Sequence, residues 1–206
     1  MGVVRVVAGD PVTPRTADLL ARAAALLVVL AVLAAAAPAR ADERVWGLVK
    51  SGGQAIFIRH AITTPGVGDP PGMRLADCST QRNLSDAGRA HAGRVGEAFR
   101  ARAIPVDRIL SSPWCRCLET ARLAFGSPEP WAPLGNLFGR PENRATQVEA
   151  LQALASERRT GGNVVLVTHG STISALTGIN PDTAEMVVVT PLGDGRSVVA
   201  GRLTVR

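Results

Sequence analysis

Tyrosine is absent from the chain, and four Phe and three Trp complete an aromatic complement of only 3% of 206 residues. Lysine is nearly absent too: Lys50 is the single Lys among 23 basic residues, so the net charge of +6 rests almost wholly on Arg. No basic run is longer than Arg158-Arg159. Without a basic stripe or enough flat side chains to stack on bases, nucleic acid is excluded as a partner. Three cysteines and three histidines are all that the chain offers as thiolate and imidazole ligands. Cys115-x-Cys117 has the wrong spacing for a zinc site and the histidines are scattered, so no metal is expected. No internal repeat or low-complexity segment occurs in residues 42–206. With 46% hydrophobic and 19% charged residues, the chain is neither disordered, collagen-like nor a multi-span membrane protein.

What is present is unevenly placed. Residues 23–37 form one uncharged apolar run, preceded by Arg15 and Arg22 and followed by Pro38-Ala39-Arg40-Ala41. The run is shorter than the roughly 20 residues of a membrane span. Its basic start and small-x-small ending describe a secretory signal cut after Ala41, with an uncleaved anchor as the alternative. The expected organisation is a signal peptide over 1–41 and one domain over 42–206, a protein exported to the periplasm or secreted, with no stable membrane insertion after cleavage. Loss of the leader removes four Arg and two Asp, leaving a net charge of +4. This mild positive balance suits a small anionic substrate. In an oxidising compartment three cysteines give one disulfide and one leftover thiol. Cys115 and Cys117 are too close to pair, so Cys78 is expected to bridge to one or the other.

Residues 42–50 read as a short helix ended by Ser51-Gly52-Gly53, and Gln54–Ile58 as a buried strand. After a Gly- and Pro-rich loop over 65–72, a helix with Ser85 as N-cap runs to about Arg102, its stripe formed by Ala87, Ala90, Val95, Ala98 and Phe99. Val106–Leu110 is a strand, Trp114–Phe125 a helix, 127–144 a surface excursion, and Ala145–Arg159 another helix. Asn163–Thr168 is the strongest strand, a helix follows from Ser171, and strands close the chain near 186–190 and 197–204. The alternation predicts an α/β fold in three layers, a largely parallel central sheet with helices on both faces.

In such a sheet, ligands gather at the carboxyl ends of the strands. One end delivers Arg59-His60, another His169-Gly170, and a third Ser111-Ser112-Pro113 with Arg116 a turn later. Two imidazoles and two guanidiniums at one edge suit a phosphate group. Arginine gives paired planar donors to phosphate oxygens, a helix N-terminus adds N–H groups, and a neutral imidazole can attack phosphorus. His91, in a polar helical stretch, is expected to face solvent.

Four segments then carry a resemblance, in order. Phe57-Ile58-Arg59-His60-Ala61-Ile62-Thr63 resembles the R-H-G-x-T start of the histidine phosphatase (phosphoglycerate mutase-like) superfamily, with Ala61 in place of glycine. Asn83–Ala92 is similar to its L-[ST]-x-x-G-x-x-Q-A helix, with His91 in place of glutamine. Ser111–Ala121 is similar to its S-S-P-x-x-R-x-x-x-T-A stretch, and Val167-Thr168-His169-Gly170 to its second-histidine strand end. The resemblance implies that His60 is the nucleophile of a phosphohistidine intermediate, that His169 acts beside it, that Arg59, Arg116 and Thr63 bind phosphate, and that no cofactor is needed. It leaves the general acid open. His169 is followed directly by Gly170-Ser171 and not by a carboxylate, and Asp77 and Glu142 are the candidates. The expected function is an exported, cofactor-independent phosphatase acting on a small phosphorylated substrate or a phosphoprotein. The alternative is a non-catalytic module that binds phosphorylated ligands on the same fold.

Overall fold

A strand buried on both faces sends alternate side chains to two different cores, and three strands here do so. The computed structural model describes residues 42–206 and, before them, Arg22; the signal segment expected over 1–41 otherwise lies outside the described residues. In strand β1 (Ala55–Arg59), Ile56 and Ile58 enter one core while Ala55 and Phe57 enter the other. Strand β4 (Asn163–Thr168) divides Val165 and Val167 from Val164 and Leu166 in the same way. So does strand β5 (Met186–Gly193), with Met186 and Val188 against Val187 and Val189.

The first core is roofed by helices α1 (residues 42–51), α2 (Asp86–Ala101) and α3 (Cys115–Phe125) through Val45, Val49, Val95, Phe99, Cys117 and Ala121. The second lies under α4 (Arg144–Ser156) and α5 (Gly170–Thr177) through Leu151, Ala155 and Ile173. The layers are therefore helix, sheet, helix, as expected. With β2 (Val106–Ser111), β3 (Glu129–Pro130) and β6 (Arg196–Leu203), the sheet has the order β3-β2-β4-β1-β5-β6. The first four of these strands pair parallel, β5 runs antiparallel to β1, and β6 antiparallel to β5. Among the described residues no helix is long and apolar enough to cross a membrane.

Helix α2 begins as its sequence requires. Ser85 is extended and its Oγ accepts the Gly88 N–H at 3.1 Å, a cap that contributes about 1 kcal/mol. Its buried stripe departs from the expected one. Ala87 and Ala90 are exposed, and Gly88, Ala92 and Gly96 are buried in their place beside Val95 and Phe99. The helix lies against backbone there, so the missing side chains of two glycines form the contact. His91 is also not a solvent residue. It is half-buried, and its Nε2–H donates to the Val205 carbonyl at 2.7 Å. The segment 127–144 is more ordered than a surface excursion: it contributes β3 and two 3-10 turns, and buries Leu134, Gly135 and Leu137. The Gly135 carbonyl accepts from Thr172 Oγ1 and the Leu134 carbonyl from Thr168 Oγ1, which binds this segment to the end of β4 and the first turn of α5.

Candidate phosphate site

Register builds the site. Parallel pairing sets Arg59 opposite Thr168, so the residues that follow, His60 and His169, leave the sheet side by side. The His60 N–H donates to the Thr168 carbonyl at 2.9 Å, and on the other flank the Ser112 N–H donates to the Val167 carbonyl at 2.8 Å. Three adjacent carboxyl ends thus deliver His60, His169 and Ser112 to one place. Their ring geometry is close: the two imidazole centroids lie 5.4 Å apart, and Trp114 packs edge-on to His169 at 5.2 Å.

A cavity of about 340 Å³ opens there, and Arg59, His60, Arg82, Arg116 and His169 all line it. Gly66, Val67 and Gly68 form one wall, Asn136 and Phe138 another, and Gly170, Ser171 and Asn180 complete it. No carboxylate is among the lining residues. Four of the five expected site residues, Arg59, His60, Arg116 and His169, therefore meet. Thr63 is not part of the lining; its backbone bridges Leu84 at the entry to α2. Neither candidate acid reaches the cavity. Asp77 caps the turn at Cys78–Thr80 and pairs with Arg74, and Glu142 lies exposed ahead of α4.

Two residues were missed. Arg82 stands one position before the segment that carries the family resemblance. Asp69 is the single carboxylate between Ala61 and Ala76, in a loop without periodicity. Asp69 pairs with Arg116 through both oxygens, at 2.6 and 3.1 Å. Burial pushes its carboxyl upward, but Arg116, the Arg82 N–H and the Trp114 indole N–H outweigh this and hold it below the usual carboxylate value. It is therefore an ionised acceptor and not a proton donor.

The histidines are held neutral. Burial lowers the His60 pKa to about 3, assisted by the charges of Arg116, Arg59 and Arg82 and opposed by a hydrogen bond to Ala61. That bond runs from Nδ1 to the Ala61 carbonyl at 2.9 Å. A carbonyl only accepts, so Nδ1 carries the proton and Nε2 keeps its lone pair. Burial likewise brings His169 well below its ordinary value, with His60 and the same arginines adding to the effect. Its Nδ1 faces Arg116 Nη2 at 3.5 Å, a donor only, so Nε2 carries the proton and donates to Ser112 Oγ at 2.8 Å.

Among the described residues, three buried side-chain polar atoms have no hydrogen-bond partner: Nε of Arg59, of Arg82 and of Arg116. Buried donors without acceptors are rare in folded proteins and call for a reason. All three belong to arginines of this one cavity. Three cations against one carboxylate, two neutral imidazoles and orphan N–H donors make a site for a multiply charged oxyanion. Among the described residues no group of three or more His, Cys, Asp or Glu side chains is placed to hold a metal ion.

The fold and the site together define an α/β protein with a histidine pair in an arginine-lined oxyanion pocket. Residues 55–135 match the family model of the histidine phosphatase superfamily (branch 1). Solved structures of the same fold include the protein histidine phosphatase SixA complexed with tungstate, at 18% identity and TM-score 0.53, covering 73% of this chain and 96% of that one. The phosphoserine phosphatase of Entamoeba histolytica, in complex with 3-phosphoglyceric acid, aligns at 15% identity and TM-score 0.55 over 74% of this chain and 98% of its own. The protein of open reading frame Rv3214 from Mycobacterium tuberculosis aligns at 16% identity and TM-score 0.55, over 71% and 95%. No curated protein sequence matches the chain.

Proposed function

We propose that the protein is an exported phosphatase in which His60 is the nucleophile. The observation that carries this reading is the pairing of a His60 Nε2 lone pair, fixed by the Nδ1–H bond to Ala61, with three arginines whose Nε–H groups lack acceptors. In the first step Nε2 attacks phosphorus, a P–N bond forms, and the bond to the leaving group breaks with its electron pair leaving on that group. In the second step water attacks phosphorus and gives up a proton to the surrounding solvent, a P–O bond forms, and the P–N bond breaks with its electron pair returning to Nε2, which restores the neutral imidazole. Arg59, Arg82 and Arg116 stabilise the charge spread over the equatorial oxygens in both steps, and His169 flanks them.

The absence of a carboxylate from the lining favours leaving groups that depart with little protonation, such as phosphoramidates, anhydrides and acidic esters. A phosphohistidine protein and a small phosphorylated metabolite both remain within this class, and the phosphatases among the structural neighbours support it. The same absence favours a second reading, a binding module without turnover. Export is proposed from the apolar run over 23–37 and is supported by the Cys78–Cys115 disulfide, a bond of oxidising compartments.

Mixing the protein with phosphorus-labelled activated aryl phosphate tests both readings. Turnover, with label trapped in an alkali-stable and acid-labile form that is lost in His60→Ala, is the expected result. Phosphate binding without turnover would establish the binding module, and label retained in His60→Ala would reject the nucleophile.

A further inference from the structure

Asp69 lies in the Gly- and Pro-rich loop over 65–72, outside every segment that carries the family resemblance. Its carboxylate accepts four hydrogen bonds. Oδ1 takes Arg116 Nη1 at 2.6 Å and the Arg82 N–H at 3.1 Å, and Oδ2 takes Arg116 Nη2 and Trp114 Nε1, each at 3.1 Å. The pair is well shielded, with side-chain exposures of 1% for Arg116 and 10% for Asp69.

A guanidinium has five N–H donors in one rigid plane, and those of Arg116 can be accounted for. One on each Nη goes to Asp69. The second on Nη1 points to the Arg82 carbonyl at 3.4 Å, and Nη2 also lies 3.5 Å from His169 Nδ1. Nε alone has no acceptor. Because the group is planar, seating its Nη1–Nη2 edge on Asp69 fixes the direction of the adjoining Nε–Nη2 edge. That second edge runs from the orphan Nε–H to the nitrogen beside His169, a residue of the cavity wall.

We propose that Asp69 is a positioning residue: it grips Arg116 end-on and thereby holds the Nε–Nη2 edge of the guanidinium ready for a phosphoryl oxygen beside His169. The proposal rests on the phosphatase reading above. Asp69 does not need to leave when phosphate enters. Two of its four donors, the Trp114 indole and the Arg82 backbone, are separate from Arg116, and the Nε–H of Arg116 has no acceptor. The carboxylate orients the cation and does not compete for it.

Asp69→Asn tests this with little change of size. Each Asp69 oxygen accepts two N–H groups, so an amide NH2 on either side would face two donors and the end-on seat would be lost. We expect this substitution in the full chain to lower kcat on activated aryl phosphate by about tenfold or more, with KM changing by less than about threefold. Inorganic phosphate, titrated calorimetrically, should bind about fivefold more weakly. In an Arg116→Lys background, where no Nε–Nη2 edge exists, adding Asp69→Asn should change either quantity by less than about twofold.

Wild-type kcat and phosphate affinity in Asp69→Asn would overturn the proposal. An equal loss in both backgrounds would also overturn it, because a merely structural role or general misfolding gives that pattern. Tighter phosphate binding in Asp69→Asn would overturn it in favour of competition. A wild-type chain that binds phosphate without turnover would reject the phosphatase reading alone, and the phosphate titrations would still decide the role of Asp69. A chain that does neither rejects both.

Discussion

His60 and His169 are each pressed between an apolar interior and three guanidiniums, and this has a consequence for stability. Burial first, and then the arginine charges, make both imidazoles resist protonation in the folded state, His60 down to about 3 and His169 well below 6.5. The unfolded chain has no such resistance and takes up protons near 6.5. Below that pH the unfolded state binds more protons than the folded one, so stability falls as pH drops and rises as pH climbs back through the window. Each histidine contributes a slope of about 1.4 kcal/mol per pH unit where its two states differ by a full proton. Between pH 6.5 and about 5 the carboxylates are not yet titrating, so this slope belongs to histidine. Denaturant midpoints measured across that interval should fall towards acid, and His60→Ala should show a slope reduced by roughly half. A wild-type midpoint that stays flat from pH 7.5 to 5 would contradict neutral burial.

At the level of elements, α2 shows how a contact can be made of absence. A Cβ on Gly88 would lie 1.9 Å from the Ile62 carbonyl oxygen, and one on Gly96 would lie 2.2 Å from that of Ala124 at the end of α3. Both neighbours are backbone and cannot turn aside. Gly93, on the same helix, has nothing within 4 Å. Alanine in place of a mid-helix glycine gains roughly 1 kcal/mol of helix propensity, whereas overpacking against fixed atoms costs about 1–3 kcal/mol or more. Gly93→Ala should therefore raise the denaturant midpoint and Gly96→Ala should lower it, whereas propensity alone would raise both. The same glycines explain where the sequence could and could not be read. Apolar spacing finds strands such as Asn163–Thr168, and strand ends then reveal His60 and His169, because a short apolar run stops at a polar residue whatever its neighbours are. Spacing also chose Ala87 and Ala90 for the stripe of α2, since a pattern of side chains cannot register a face that packs through their lack. Arg82 and Asp69 escaped for a related reason. They sit in loops, and their roles come from contacts with Arg116 across 34 and 47 residues of sequence, which no local pattern encodes.

The whole molecule is tied together at this point by the one covalent crosslink among its described residues. Cys78 bonds to Cys115, which settles the open pairing, and Cys117 is the free thiol. The bridge joins the segment that carries Arg82 to the first residue of α3, immediately before Arg116. Beside it, Gln81 Oε1 accepts the Cys115 N–H at 3.0 Å. Closing a loop with a sequence separation of 37 restricts the unfolded chain, an effect of about 4 kcal/mol in the chain-entropy account. For a domain of this size that corresponds to a change in Tm on the order of 10 °C. Cys117 is poorly suited to attack the bridge. It is fully buried, and burial pushes its thiol up to about 12, so the reactive thiolate is scarce at neutral pH. Full-length protein made under oxidising conditions should therefore show one titratable thiol, and only after denaturation. Protein made in a reducing cytosol should show three thiols and unfold on the order of 10 °C lower. Three thiols in the oxidised preparation would remove the crosslink. Equal melting temperatures with the crosslink present would mean that the loop between Cys78 and Cys115 is already restrained in the unfolded chain.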